Sequence, residues 1–219
     1  QPWCMTDSGV RAGVADARDV VLKVLAANDG SLPLHDQSSP AIIKQILGMS
    51  KKTIYQYFVD KDELVNEVIK VILEDNEQNC SHDCIVAENA VDELMKAIEM
   101  MEEMFRNMNP SVLFDLKKYH PKAYSIFEKH KSEYLYKIIR DNLVRGIKEE
   151  LYRPDLNIDI IAHLRIDSMM LPFDPSLFNK QGNTLITVSK QILEHYLFGI
   201  VSLKGYNLVL KYQGIAKQQ

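Results

Sequence analysis

The segment 48–58 constrains the fold more than any other part of the chain, because it combines a turn with a short amphipathic helix. Gly48 can adopt the positive φ that a tight turn between two helices requires, and Ser50 is a favoured N-cap residue. Ile54 and Phe58 lie four residues apart on one apolar face, which predicts that both are buried. A helix this short is unstable alone. The segment is therefore predicted to be the second helix of a helix-turn-helix.

The polar side chains of the same helix suit contacts with DNA. Lysine favours guanine acceptors, glutamine favours adenine, and a threonine methyl group contacts thymine, so Lys52, Thr53 and Gln56 are the predicted base contacts. Neighbouring hydroxyls and lysines, and a helix N-terminus predicted near residue 40, are the predicted phosphate contacts. The complete predicted DNA-binding surface comprises Ser38, Ser39, Ser50, Lys51, Lys52, Thr53, Tyr55, Gln56, Tyr57 and Lys61.

Together with the residues that follow it, this segment resembles the signature of the tetracycline-repressor (TetR) family of bacterial regulators. The positions that match are Gly48, Met49, Ser50, Ile54, Tyr55, Tyr57, Phe58, Lys61, Glu63 and Leu64. Segments 114–121, 146–154 and 198–205 resemble TetR-like regulators from Bacteroides-like bacteria. The resemblance implies a ligand-responsive transcriptional regulator, more often a repressor than an activator. Its implied partners are a palindromic operator in double-stranded DNA, a second copy of the chain, and a small-molecule effector.

Charge is distributed unevenly along the 219 residues. The net charge is −4, but residues 40–61 hold four lysines and one aspartate, a local +3 that leaves −7 for the rest. A basic head on an acidic body would turn the head toward a phosphate backbone. No apolar run reaches the length of a membrane span, and the start of the sequence lacks the pattern of a signal peptide. Three cysteines suit a reducing compartment. We therefore expect a cytoplasmic protein with no membrane partner.

Helical periodicity dominates the chain, and strand-like alternation is absent. We predict an all-α fold of about nine helices, with a helix-turn-helix module at 1–60 and a larger ligand-binding and dimerisation domain at 61–219. The predicted helices are 14–28, 40–47, 51–58, 61–78, 85–108, 111–119, 120–150, 158–171 and 184–202, with a short turn at 205–212. A polar break is predicted at 79–84.

Methionine and aromatic residues cluster in the second domain, where flexible thioethers can line an adaptable apolar pocket. In TetR-like regulators such a pocket binds an inducer and changes the spacing of two DNA-binding heads. The predicted pocket residues are Met101, Met104, Phe105, Met108, Tyr119, Tyr124, Phe127, Met169 and Met170. An apolar face on 186–201, together with the helix around 160–171, is predicted to form a four-helix bundle with a second copy, as in TetR-like proteins; burial in the core of one chain is the alternative. The predicted interface residues are Ile186, Ile192, Leu193, Tyr196, Leu197 and Ile200.

Three other hypotheses remain open from the sequence. Cys80, His82 and Cys84 are soft ligands, but a structural zinc site needs four, so we predict no metal, no cofactor and an inter-helix turn with free thiols; a redox switch is the alternative. A helical-bundle enzyme is disfavoured because no histidine follows an acidic residue by three positions. A dimeric adaptor without DNA affinity is possible because the first 47 residues depart from the TetR pattern.

Overall fold

The computed structural model describes residues 58–106, 108–174 and 183–214. Only the last three residues of the predicted module 1–60 fall in these ranges, so the proposed domain boundary stays a prediction. Most of the predicted DNA-binding residues also lie outside the described ranges: Ser38, Ser39, Ser50, Lys51, Lys52, Thr53, Tyr55, Gln56 and Tyr57.

Helices build most of the described part of the chain. They are α1 (Lys61–Val86), α2 (Ala90–Phe105), α3 (Val112–Tyr119), α4 (Pro121–His130), α5 (Tyr136–Lys148), α6 (Ile158–Ser168), α7 (Leu185–Ile200) and α8 (Leu203–Tyr212). A π turn, Lys131–Leu135, joins α4 to α5 without a break, and a 3-10 turn, Leu171–Phe173, follows α6. Within the described ranges, the β structure consists of one isolated antiparallel bridge between Tyr152 and Val201. The all-α prediction is confirmed. With α4, the π turn and α5 taken as one continuous helix, the described residues form seven helices, whereas about nine were predicted for the whole chain.

The start of α1 is fixed by two reciprocal hydrogen bonds. The Asp60 carboxylate accepts from the Glu63 backbone N–H at 2.8 Å, and the Glu63 carboxylate accepts from the Val59 N–H. This exchange satisfies backbone donors that the first turn of a helix leaves open. Phe58, immediately before it, is 2% exposed, which confirms its predicted burial. The end of the TetR-like signature therefore encodes a rigid start to a long helix.

Helix α1 continues through the segment 79–84, where a polar break was predicted. That prediction is wrong because the polar residues face outward while the helical repeat persists. His82 is exposed, whereas Cys80 and Cys84, four residues apart, both turn toward the protein. The helix ends at Val86, and Asn89 then caps α2 by accepting hydrogen bonds from the N–H groups of Val91 and Asp92. With 26 residues, α1 is about 39 Å long.

A buried polar network holds α2, α5 and the segment after α5 together. The Tyr152 hydroxyl lies 2.9 Å from both the Ala90 carbonyl and Asn142 Oδ1. Asn142 Nδ2 donates to the same carbonyl at 3.1 Å. Burial raises the pKa of Tyr152 well above its ordinary value, so the hydroxyl remains a donor. The Tyr152 ring lies against Gly146, where no side chain intervenes. Fully paired networks of this kind specify one packing of the core.

Candidate ligand-binding cavity

The helices enclose a cavity of about 550 Å³, a volume typical of small-molecule sites. One wall is the inner face of α1, including Val68, Ile69 and Ile72, and the facing wall is α2. Residues from α3 to α7 complete the lining, which is mainly apolar. The cavity therefore touches the helix that begins directly after the predicted helix-turn-helix.

Seven of the nine predicted pocket residues line this cavity: Met101, Met104, Phe105, Met108, Phe127, Met169 and Met170. Tyr119 does not, because it lies at the end of α3 with 47% of its surface exposed, next to Lys118. Tyr124 is also not part of the lining: its ring lies 6.3 Å from that of Phe127, and it packs against the cluster that contains Val65 and Ala123. The prediction that Tyr119 and Tyr124 line the cavity is therefore corrected, because both lie outside it.

The π turn contributes one polar wall. The Tyr134 hydroxyl donates to the Glu77 carbonyl at 3.0 Å, and His130 Nδ1 lies 3.0 Å from the Glu77 carboxylate. The two rings stack with centroids 5.1 Å apart. Burial raises the pKa of Tyr134, so its hydroxyl remains protonated. A π turn widens the helix locally, a feature often found at functional sites, and here it presents Tyr134 and Leu135 to the cavity.

The thiols and carboxylates form a second polar region, between α1 and α2. The Cys84 thiol donates to Glu93 Oε1 at 3.5 Å, and the other Glu93 oxygen accepts from Arg145 at 3.1 Å. Cys80 contacts Met100, with the sulfurs 4.0 Å apart. His82 lies on the opposite side of α1, so the three candidate metal ligands do not converge. Within the described ranges, no group of three or more His, Cys, Asp or Glu side chains could hold a metal ion.

Both thiols are expected to be poorly reactive. Burial, assisted by nearby carboxylates, raises the pKa of Cys80 to about 11 and that of Cys84 to about 12. On the order of one Cys80 thiol in a thousand is then ionised at pH 8, and the thiolate is the nucleophile. We expect iodoacetamide at pH 8 to label these two residues at least about tenfold more slowly in the native protein than in urea, with sites resolved by mass spectrometry. Equal rates would contradict the buried placement.

Helix α7 divides its apolar residues between the cavity and the core. Ser189, Ile192 and Tyr196 line the cavity. Leu193, Leu197 and Ile200 are at most 2% exposed and belong to the main core cluster. The predicted interface residues Ile192, Leu193, Tyr196, Leu197 and Ile200 are therefore corrected from a subunit interface to the inside of one chain, because the apolar face of α7 packs on its own helices. Ile186 is half-buried, and its predicted role stays a prediction.

Arg165 brings a positive charge to the cavity. It lies on α6, and its guanidinium carbon is 5.5 Å from the centre of the Tyr196 ring. Burial lowers the pKa of Arg165 to about 10, and burial raises that of Tyr196 to about 12. Part of the Arg165 surface remains accessible because it faces the cavity. The sequence signal was a single arginine within the apolar run of α6, which is too common to identify a site.

The N-terminal turn of α1 contacts the junction of α3 and α4. Asp62 lies 2.7 Å from Nδ1 of His120, which is buried at the junction of α3 and α4. Of the predicted DNA contacts, the described residues include Lys61. It is the first residue of α1 and is half-buried. The first turn of α1 is therefore held against the junction of α3 and α4.

Comparison with known proteins identifies the fold. One solved structure, a TetR-family transcriptional regulator from Agrobacterium tumefaciens, superimposes with a TM-score of 0.68 at 14% identity, covering 85% of this chain and 100% of that one. A second, a putative transcriptional regulator from Saccharomonospora viridis in complex with choline, gives a TM-score of 0.66 at 18% identity over 85% and 98% of the two chains. The chain has the TetR-family fold. The resemblance is thus confirmed for the fold, while the likeness to Bacteroides-like proteins stays a prediction.

Two sequence matches accompany this TetR-like fold. An uncharacterized HTH-type transcriptional regulator of Bacillus subtilis, YvaF, is 25% identical over 158 residues, which cover 71% of this chain and 82% of that protein. Residues 19–53 match the family described as the CvfB-like winged helix domain. That match lies in the segment where the TetR pattern is weakest, and it ends before the TetR-like signature does. Within the described ranges, no helix has the length and apolarity needed to cross a bilayer.

Proposed function

We propose that this chain is a DNA-binding transcriptional regulator, acting in the cytoplasm as a homodimer on a palindromic operator and responding to a small-molecule effector, most simply as a repressor. One observation carries the proposal: α1 begins at Lys61, within the last residues of the TetR-like signature, and lines the cavity from Leu64 to Cys84. The names of the relatives support a regulator and no enzymatic role.

The proposed response to effector runs through α1. A ligand that fills the cavity pushes against Val68 and Ile72, which lie on the inner face of that helix. Because the helix is capped rigidly at Asp60 and Glu63, its tilt carries the attached head with it. Two heads in a dimer must match half-sites about one turn of DNA apart. A change in head spacing therefore lowers affinity for the operator, provided that the ligand prefers one of the two arrangements.

The proposed contacts with DNA follow the helix-turn-helix signature. Lys52, Thr53 and Gln56 read base edges in the major groove. The remaining members of the predicted surface, including Lys61, bind phosphates and fix the register of the head. The match of residues 19–53 to a winged helix family supports a nucleic-acid-binding head over an adaptor without DNA affinity.

The proposed dimer surface lies on the outer sides of α6 and α7. Ile160 and Leu164, one helical turn apart on α6, are 63% and 57% exposed. Phe198 on α7 and Tyr206 on α8 are also exposed, and their rings pack together with centroids 5.6 Å apart. Exposed apolar groups on adjacent helices favour burial against a partner. Two copies of α6 and α7 would form the four-helix bundle expected from the sequence, with these side chains in place of the buried ones.

Binding-site selection from random duplex DNA with the purified protein tests the proposal. We expect a palindromic consensus whose affinity falls steeply between two salt concentrations, because phosphate contacts release counterions. Recovery of no consensus would favour the adaptor.

Two substitutions in the head should separate base contacts from phosphate contacts. Gln56→Ala should relax the preference at one base position, at a cost of about 1–3 kcal/mol for the preferred base. Lys61→Ala should weaken all sequences alike and reduce the salt dependence by about one counterion. Both are measured by fluorescence anisotropy with a panel of single-base variants of the consensus. An unchanged preference in Gln56→Ala would contradict the proposed base contact.

A further inference from the structure

Arg165 lines the cavity without a counter-charge. It is the one lysine or arginine among the described residues that form the lining. Burial lowers its pKa, and the titratable group beside it, the Tyr196 hydroxyl, is uncharged at neutral pH. Its guanidinium lies over the face of the Tyr196 ring. A buried cation without a paired anion is costly. The guanidinium has five N–H donors in a planar fork, and here the fork faces an open cavity.

The carboxylates of the lining are already engaged elsewhere. Glu93 pairs with Arg145, and Glu103 pairs with Arg106 at 2.8 Å. Asp83 lies 3.7 Å from His82 on its own helix. Glu93 and Glu103 are therefore held by Arg145 and Arg106, and none of the three carboxylates pairs with Arg165. They do make the region between α1 and α2 unfavourable for a negative charge, so an anionic group in the cavity is directed toward α6.

The rest of the lining determines the body of the ligand. Apart from the polar wall at the π turn and a few asparagines, the lining is mainly aliphatic, thioether and aromatic side chains, so the ligand must be apolar over most of its length. One further polar atom is open: the Ser189 hydroxyl is buried and has no hydrogen-bond partner among the described residues. Ser189 precedes Tyr196 by seven residues on the same face of α7, which corresponds to about 10 Å along the helix axis.

We propose that the effector is an amphiphilic organic anion whose head group pairs with Arg165 and whose apolar chain fills the cavity toward α1 and α2. The proposal deepens the proposed function, because it names the chemical class of the effector for that cavity. Arginine binds carboxylate and phosphate groups in the same bidentate manner, so the shared feature is the anionic head. Ser189 provides a hydrogen bond for a second polar group along the chain.

Calorimetric titration of the full chain with four probes that carry an unbranched chain of about ten carbons tests the proposal: decanoate, decyl phosphate, 1-decanol and decyltrimethylammonium. We expect decanoate, decyl phosphate or both to bind at least about tenfold more tightly than the alcohol and the cation. The two anions distinguish a carboxylate from a phosphate head group. No preference for either anion over 1-decanol, or tighter binding of the cation, would overturn the proposal.

Arg165→Met assigns the preference to one side chain. It should weaken the preferred anion by about 10- to 100-fold and leave 1-decanol unchanged. Removing an unpaired buried charge should also raise the melting temperature of the ligand-free protein, which checks that the variant is folded. Arg165→Lys keeps the charge but loses the planar fork, so it should give an intermediate affinity and replaces Arg165→Met if that variant does not fold. Unchanged anion binding in both variants would overturn the proposal.

These titrations contain no DNA, so their outcome is independent of operator binding. Anion binding that requires Arg165 supports the effector class even if operator affinity does not change on adding the ligand. In that case the proposed coupling through α1 fails, and the assignment of the cavity holds.

Discussion

Gly146→Ala is expected to destabilise the protein by at least about 3 kcal/mol, the upper range for overpacking a core. A Cβ at this position would lie 2.0, 2.2 and 2.5 Å from three carbon atoms of the Tyr152 ring. The ring cannot withdraw, because Tyr152 is 1% exposed and its hydroxyl is held by Ala90 and Asn142. For a chain of this size the loss corresponds to a fall of about 6–12 °C in melting temperature. Urea unfolding followed by circular dichroism measures it.

Gly199→Ala is the matched control for this substitution. Gly199 is also inside a helix, but a Cβ there would meet no atom within 4 Å. Alanine is a better helix former than glycine by up to about 1 kcal/mol, so this variant should unfold at the same or a higher urea concentration. Both variants are compared at one protein concentration, since the proposed dimerisation would add to apparent stability. A wild-type midpoint for Gly146→Ala would contradict the packing of Tyr152 against α5.

The double substitution Ile160→Glu with Leu164→Glu is expected to convert the proposed dimer to a folded monomer. Both side chains are exposed in the single chain, so the change leaves the core intact while placing two carboxylates in the proposed apolar interface. Desolvating unpaired charges there is unfavourable. Loss of the second head should lower affinity for a palindromic operator by about 100-fold or more, because bivalent binding adds that much. Sedimentation velocity and anisotropy measure the two effects.

Ile85→Glu is the control for the dimer-breaking variant. Ile85 is an equally apolar residue on α1 with 84% exposure, away from α6 and α7 in the chain. We expect it to sediment like the wild-type protein and to keep its DNA affinity. Wild-type sedimentation of the double variant would show that the interface lies elsewhere.

Much of the architecture was predictable because helix periodicity survives in single sequences. The predicted helix 120–150 corresponds to α4, the π turn and α5, and 184–202 corresponds to α7. The error at 79–84 came from counting polar residues instead of following their spacing. Cys80 and Cys84, four residues apart, preserve the inner face of α1 while Ser81 and His82 between them are exposed. A local cluster of polar side chains does not end a helix when the repeat continues.

The candidate site was only partly predictable, because a wide apolar face does not reveal which neighbour covers it. On α7 the residues predicted to face a second chain are divided between the core and the cavity. Leu197 is fully buried, whereas Phe198, the next residue, is exposed. Only the tertiary packing of α7 against α2 and the rest of the core cluster decides between these environments. Sequence spacing identified the helix and its apolar character correctly, and it assigned the wrong partner.

Arg165 illustrates a different limit. Its position among the apolar residues of α6 was visible in the sequence. Its proposed role in ligand binding, however, depends on the fact that no described carboxylate pairs with it. Glu93, a carboxylate that also lines the cavity, pairs with Arg145 instead. That choice is made by the packing of α2 against α5, which brings residues about fifty positions apart into contact. Charge pairing between distant segments cannot be read from spacing within one helix.

The most direct test of the regulator proposal is the stoichiometry of the complex between the full chain and a duplex carrying the selected consensus. Sedimentation velocity with a fluorescent label on the DNA measures how many chains each duplex carries. We expect two chains per palindromic duplex and no stable complex with a duplex of scrambled sequence. Equal binding to both duplexes, a single chain per palindrome, or no complex at low salt would contradict a dimeric, sequence-specific regulator.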